Sequence, residues 1–220
     1  AVVAVPTEKH FEILKDLIDY GPRAIFCEKP FCASFEEAEQ IISRASTANV
    51  KISVNFHRRW DPKISALKSA LVSLDEKAIA VDINYSKGLL NYGSHILDLV
   101  DYLFGEVECV HVGGAKNGAE RDPSFSALLK LKSGSPVYLK GFDGVAYELM
   151  DVNIFYRNCM YRIDFGGYRL LKYEVIRDQY FSGYHNLSSS GVSFLPDGPV
   201  YGLPQAYSEI AAYCSGTATE

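Results

Sequence analysis

Apolar residues run unbroken through "AVVAV" (residues 1–5) and "AIFC" (24–27), as in strands buried on both faces of a parallel sheet. Between them "PTEKHFEILKDLIDYG" changes to the period of an amphipathic helix, predicted over 7–20 and ended by Gly21. A second helix is predicted over 34–48, where Ser34 followed by Glu37 forms a capping box, and a third strand over 51–55. Strand, helix, strand, helix, strand in this order implies right-handed parallel crossovers and an open α/β sheet. The tripeptide Glu28-Lys29-Pro30 then stands at the carboxyl end of a parallel strand, the edge where such sheets bind ligands.

Past Phe56 the basic and aromatic segment "HRRWDP" leads into a helix over 63–73, a strand over 78–86 and a further helix opening at "NYGSHILDLVDYLFG". In that helix Asn91, His95 and Asp98 recur at i, i+4 and i+7, which places them on one face. After Gly105 the chain shifts to strand-like runs, "CVHVGGA", "FSALLKLK", "SPVYLKGF", "YELMDVNIFYR", "CMYRIDF" and "YRLLKYEVI", with turn signals such as "KSGS" and "FGG" between them. These fit hairpins of an antiparallel sheet. Residues 182–204, rich in Gly, Ser and Pro, are predicted to form a long loop, and a short helical pattern follows.

Composition narrows the function classes. At 220 residues the chain can bury roughly 70% of its unfolded surface. Its net charge of -5, without a basic run, offers no footprint for nucleic acid or anionic membrane. No segment reaches the roughly 18 consecutive apolar residues of a membrane span. The five cysteines form no Cys-x-x-Cys pair, and free thiols in a reducing, cytoplasmic setting are expected. The opening residues carry no initiator Met, basic region or cleavage site, so the chain is read as starting in mid-fold, a fragment at both ends.

Three constellations carry candidate chemistry: Glu28-Lys29-Pro30, the segment from Asn55 through Arg58 and Arg59 to Pro62, and the helix bearing His95. Each alone has a plain reading, as a surface turn, a solvated basic turn and a satisfied core histidine. Tyr147, Tyr156, Tyr161, Tyr168, Tyr184 and Tyr201 could stack on a sugar, although strand packing explains them better. A metal-dependent hydrolase built on His57, His95, Asp98 and His111 lacks tight ligand spacing.

Taken together, the order and spacing resemble the glucose-fructose oxidoreductase and inositol dehydrogenase family, Gfo/Idh/MocA. That family shows a strand ending in Glu-Lys-Pro, then Asn-x-x-Arg-x-x-x-Pro, then a Gly-x-His-x-x-Asp helix. Here these read Glu28-Lys29-Pro30, Asn55 to Arg58 to Pro62, and Gly93-Ser94-His95 to Asp98. The resemblance implies an α/β plus α+β fold: a partial Rossmann parallel sheet (1–56), then an open, mainly antiparallel sheet with helices on one face (57–220), which binds substrate and makes a homo-oligomer. It further implies NAD or NADP as cofactor and a sugar, nucleotide sugar or cyclitol as substrate. Lys29 would polarise the substrate oxygen, and His95 would exchange the proton as hydride moves, with Asn91 beside it. Pro6, Thr7, His10, Glu28, Lys29, Asn55 and Arg58 would lie at the cofactor; Lys29, Arg59, Asn91 and His95 would lie at the substrate. A cis bond at Pro30 is compatible with this.

Two departures from the family stand out. Many members carry Asp where Asn91 stands, and Asn cannot take a proton. No Gly-x-Gly-x-x-Gly opens the chain, and "VGGAKNG" (112–118) lacks the strand-to-helix context. The first βαβ unit is therefore expected in an intact parent, which would be the enzyme, while the fragment alone would be inactive. The alternative is a non-catalytic relative acting as a binding or regulatory module.

Overall fold

The structure is a computed structural model and describes residues 1–113, 122–188, 191–193, 196–198 and 201–217. The glycine-bearing stretch 114–118 lies outside them. The chain divides into two compact units, one formed by Ala1–Asp61 with Tyr201–Glu220, the other by Pro62–Val200.

In the first unit β1 (Val2–Val3), β2 (Ala24–Cys27) and β3 (Lys51–Val54) form a parallel sheet in the order β1-β2-β3. Every residue of β2 is buried, as the unbroken apolar run requires. A 3-10 turn (Thr7–Lys9) leads into α1 (His10–Asp19), and α2 (Phe35–Ala48) follows β2. Ser34 Oγ accepts from Glu37 N at 3.2 Å while Glu37 Oε2 accepts from Ala33 N at 3.0 Å, so the capping box reaches one residue past its usual partner. Leu14 and Ile18 of α1 and Ile41 and Ala45 of α2 pack on Ile25 and Cys27. Each buried Leu or Ile contributes about 1.5–3 kcal/mol.

The division expected at residue 56 is corrected at the carboxyl end, because the last helix, α5 (Leu203–Ser215), returns to the first unit. Its Tyr207 ring meets Phe26 edge-on at 5.3 Å, Lys51 Nζ sits 4.2 Å over the Tyr213 ring, and Arg23 donates to Cys214 O at 2.5 Å. These contacts join residues about 180 positions apart, which no local pattern signals.

The second unit contains α3 (Pro62–Val72), β4 (Ala80–Ser86), a π-helical turn (Gly88–Gly93), α4 (Ser94–Phe104), β5 (Val107–Val112), β6 (Ala127–Leu131), β7 (Pro136–Phe142), β8 (Met150–Phe155), β9 (Cys159–Asp164) and β10 (Arg169–Arg177). Two short strands, β11 (His185–Leu187) and β12 (Val192–Ser193), pair antiparallel with β10 inside the segment expected to be loop. The sheet runs β11-β10-β9-β8-β4-β7-β6-β5, antiparallel throughout except for the parallel β4–β7 pair. One face buries Val81, Ile83, Val137, Leu139 and Val152 with Ile64 and Leu67 of α3 and Ile96 and Val100 of α4. Across the other face Leu128, Tyr138, Asp82, Asn153 and Arg162 stand in register. Among the described residues no helix is long and apolar enough to cross a membrane.

Candidate functional site

The carboxyl edge of the three-stranded sheet is organised by backbone first. Glu28 N donates to Val3 O at 2.9 Å and Asn55 N to Cys27 O at 2.8 Å, extending the ladders past the strand ends. The Glu28 carboxylate then locks the turn: Oε1 accepts from Asn55 Nδ2 at 2.8 Å and Oε2 from Lys29 N at 3.3 Å. The Lys29–Pro30 peptide bond is cis. Asn55 is buried, and its Oδ1 has no hydrogen-bond partner among the described residues. A buried amide oxygen left in this way costs about 1–3 kcal/mol unless a donor reaches it.

The Asn55–Pro62 segment bends into a short 3-10 turn, His57–Trp60, that brings more charge to the same unit. Arg58 is buried and Arg59 partly exposed. Burial chiefly lowers the His57 pKa, to about 4; Arg58 pushes it down as well, Glu28 and Asp61 pull upward, and Lys29 adds the smallest downward push. His57 is therefore neutral near pH 7. Asp61, 1% exposed, accepts from Tyr201 N at 2.9 Å. Gly202 follows, where a Cβ would overlap His57 O, so only glycine lets α5 start so close to this turn. Gly202 is not legible as a neighbour of His57 and Asp61 because some 140 residues of chain separate it from them.

Of the remaining residues expected at the cofactor, Pro6 is exposed, Thr7 lies partly exposed at the start of the 3-10 turn, and His10 is fully buried. The neighbouring thiols are poor nucleophiles. Burial, aided by Cys32 and Glu28, pushes Cys27 up to about 12, and burial with Glu37 pushes Cys32 to about 11.

The second unit carries the histidine helix. α4 begins at Ser94, later than the sequence pattern suggests, because Gly88–Gly93 winds as a π-helical turn, a feature frequent at functional sites. Asn91 therefore sits in that turn, exposed, whereas His95 is buried and Asp98 half-buried on the helix proper. Asp122 holds the turn from outside, accepting from Leu90 N at 2.8 Å and Asn91 N at 2.9 Å. Gly88, at φ +87°, leaves room for it: a Cβ there would overlap the Asp122 carboxylate. Of the tyrosines, Tyr156 and Tyr161 belong to the core, and burial pushes the Tyr156 pKa up to about 12, so packing accounts for both.

Comparison with known proteins bears on both units. Residues 1–56 match the family model described as "Oxidoreductase family, NAD-binding Rossmann fold" (GFO_IDH_MocA). Inositol 2-dehydrogenase of Rhizobium meliloti is 27% identical over 168 residues, covering 66% of this chain and 51% of that protein, so the chain spans about half the length of this relative. Among solved structures, the fold is shared with an inositol dehydrogenase homolog from Azotobacter vinelandii complexed with NADH and myo-inositol (TM-score 0.71, 16% identity, 98% of this chain and 65% of that one). It is shared also with the UDP-N-acetylglucosamine 3-dehydrogenase of Acidithiobacillus ferrooxidans (TM-score 0.72, 19% identity, 98% and 68%).

Proposed function

The chain belongs to the Gfo/Idh/MocA oxidoreductase family, and from that premise we propose that the protein it represents is an NAD(P)-dependent dehydrogenase of a sugar, nucleotide-sugar or cyclitol hydroxyl. The observation that carries this reading is the locked Glu28-Lys29 turn at the carboxyl edge of a parallel sheet. The residues present fit a dinucleotide: Asn55 Oδ1 is a buried acceptor for a ribose hydroxyl or amide N–H, and Arg58 supplies positive charge. Pro6, Thr7 and Glu28 would line the cofactor edge.

The bound nicotinamide would supply the hydride acceptor or donor. Lys29 would bind the substrate oxygen and favour its alkoxide character, and His95 would take the hydroxyl proton as the carbon gives up hydride, or return it in the reverse direction. Arg59 and Asn91 are assigned to the substrate. Asn91 is uncharged, so His95 works without a carboxylate at that position.

The test is fluorescence titration of the full-length protein with NADH and NADPH, followed by turnover against cyclitols, hexoses and nucleotide sugars. Saturable cofactor binding with turnover of one substrate class supports the reading. Binding without turnover would favour the non-catalytic alternative raised by Asn91, and no binding would remove both the cofactor and the activity.

A further inference from the structure

His10 is the first residue of α1 and is 0% exposed, so it touches no ligand directly. Its ring bridges two segments of the same sheet edge. Nε2 lies 2.9 Å from Val5 O, just past β1, while Nδ1 lies 3.0 Å from Pro30 O and 3.1 Å from Phe31 O, just past the Lys29 turn. Cys27 Sγ, at the end of β2, is 3.5 Å from Nδ1. Carbonyl oxygens only accept, so the ring serves as donor to whichever side it bonds. The helix that carries it is held in place by Leu14 and Ile18 in the core. With the ring proton on Nδ1, the Lys29 turn is gripped from two directions, by Asn55 through Glu28 and by His10 through the carbonyls of Pro30 and Phe31.

We propose that His10 is a positioning residue: it transmits the rigid placement of α1 to the Lys29 turn and so fixes where the Lys29 ammonium stands. This rests on the assignment of Lys29 above. A side chain needed only for packing could be replaced by an apolar one of similar volume, whereas a positioning donor cannot.

The experiment compares His10→Leu, His10→Asn and His10→Gln with Lys29→Ala in the full-length protein, reading kcat, KM, the pH profile of kcat/KM and Tm. Asn brings an amide N–H near the ring Nδ1 position, toward Pro30 and Phe31; Gln brings one near Nε2, toward Val5. His10→Leu is expected to lower kcat about 10- to 100-fold with KM for the cofactor little changed, and to shift the pH profile. Asn is expected to restore kcat to within about 3-fold and Gln to leave it low, at comparable Tm. Should Leu fail to fold, the Asn and Gln pair decides. The inference is overturned if Leu, or both polar variants, lower Tm while kcat and pH profile match wild type, or if Gln rescues as well as Asn. If Lys29→Ala itself turns over normally, the functional reading has failed instead; if it is inactive while His10→Leu is normal, only the positioning role has failed.

Discussion

Lys29 and His57 show how far single residues reveal their chemistry. The Glu-Lys-Pro tripeptide was readable because a strand's end and a charged turn lie together in sequence, but the environment of His57 depends on burial and on Arg58, Lys29, Glu28 and Asp61 at once. That environment has a consequence for stability. Because the folded pKa of about 4 lies below the ordinary 6.5, the unfolded chain takes up a proton as pH falls through 6.5 while the native state does not until about 4. Stability from this residue is therefore present above pH 6.5 and lost between 6.5 and 4. After discounting for partial exposure the loss is on the order of 2 kcal/mol. Trp60, the chain's one tryptophan, lies in the same unit and reports its unfolding in urea. The His57→Gln variant should lose less stability than wild type between pH 7 and pH 4; parallel losses would contradict the assignment.

At the scale of elements, local signals are legible in the sequence and distant ones are not. The strand β2 and the helix α2 follow from an apolar run and a capping box, each written within a few residues. The start of α4 does not, because the π-helical turn before it is held by Asp122, more than 30 residues further along the chain. The short strands β11 and β12 are not written locally for the same reason: their pairing with β10, not their own composition, makes them strands. Replacing Asp122 with Ala leaves the N–H groups of Leu90 and Asn91 without their acceptor, a loss comparable to that of a helix cap, about 1–2 kcal/mol. Chemical unfolding of the second unit, followed by circular dichroism, should show that decrease. An unchanged midpoint would mean the turn holds itself.

For the whole molecule, the order of α/β and then antiparallel segments gave both sheets, while the return of α5 to the first unit was hidden in contacts across most of the chain. The outer face of the larger sheet exposes Leu128, Tyr138, Phe142 and Phe155 among charged neighbours. A second copy of the chain is the occupant we propose for it, since apolar side chains of this kind gain from pairing two like faces. Tyr138→Glu should then shift sedimentation velocity toward a smaller species; an unshifted profile would place the interface elsewhere. The central claim, however, is that Lys29 and His95 serve hydride transfer. Its most direct test is single-turnover transfer in the full-length protein with saturating cofactor, comparing Lys29→Ala and His95→Ala with wild type. Each variant should bind the nicotinamide cofactor within about 3-fold of wild type yet transfer hydride about 100- to 10,000-fold more slowly. Transfer at the wild-type rate in either variant would contradict the role assigned to that residue.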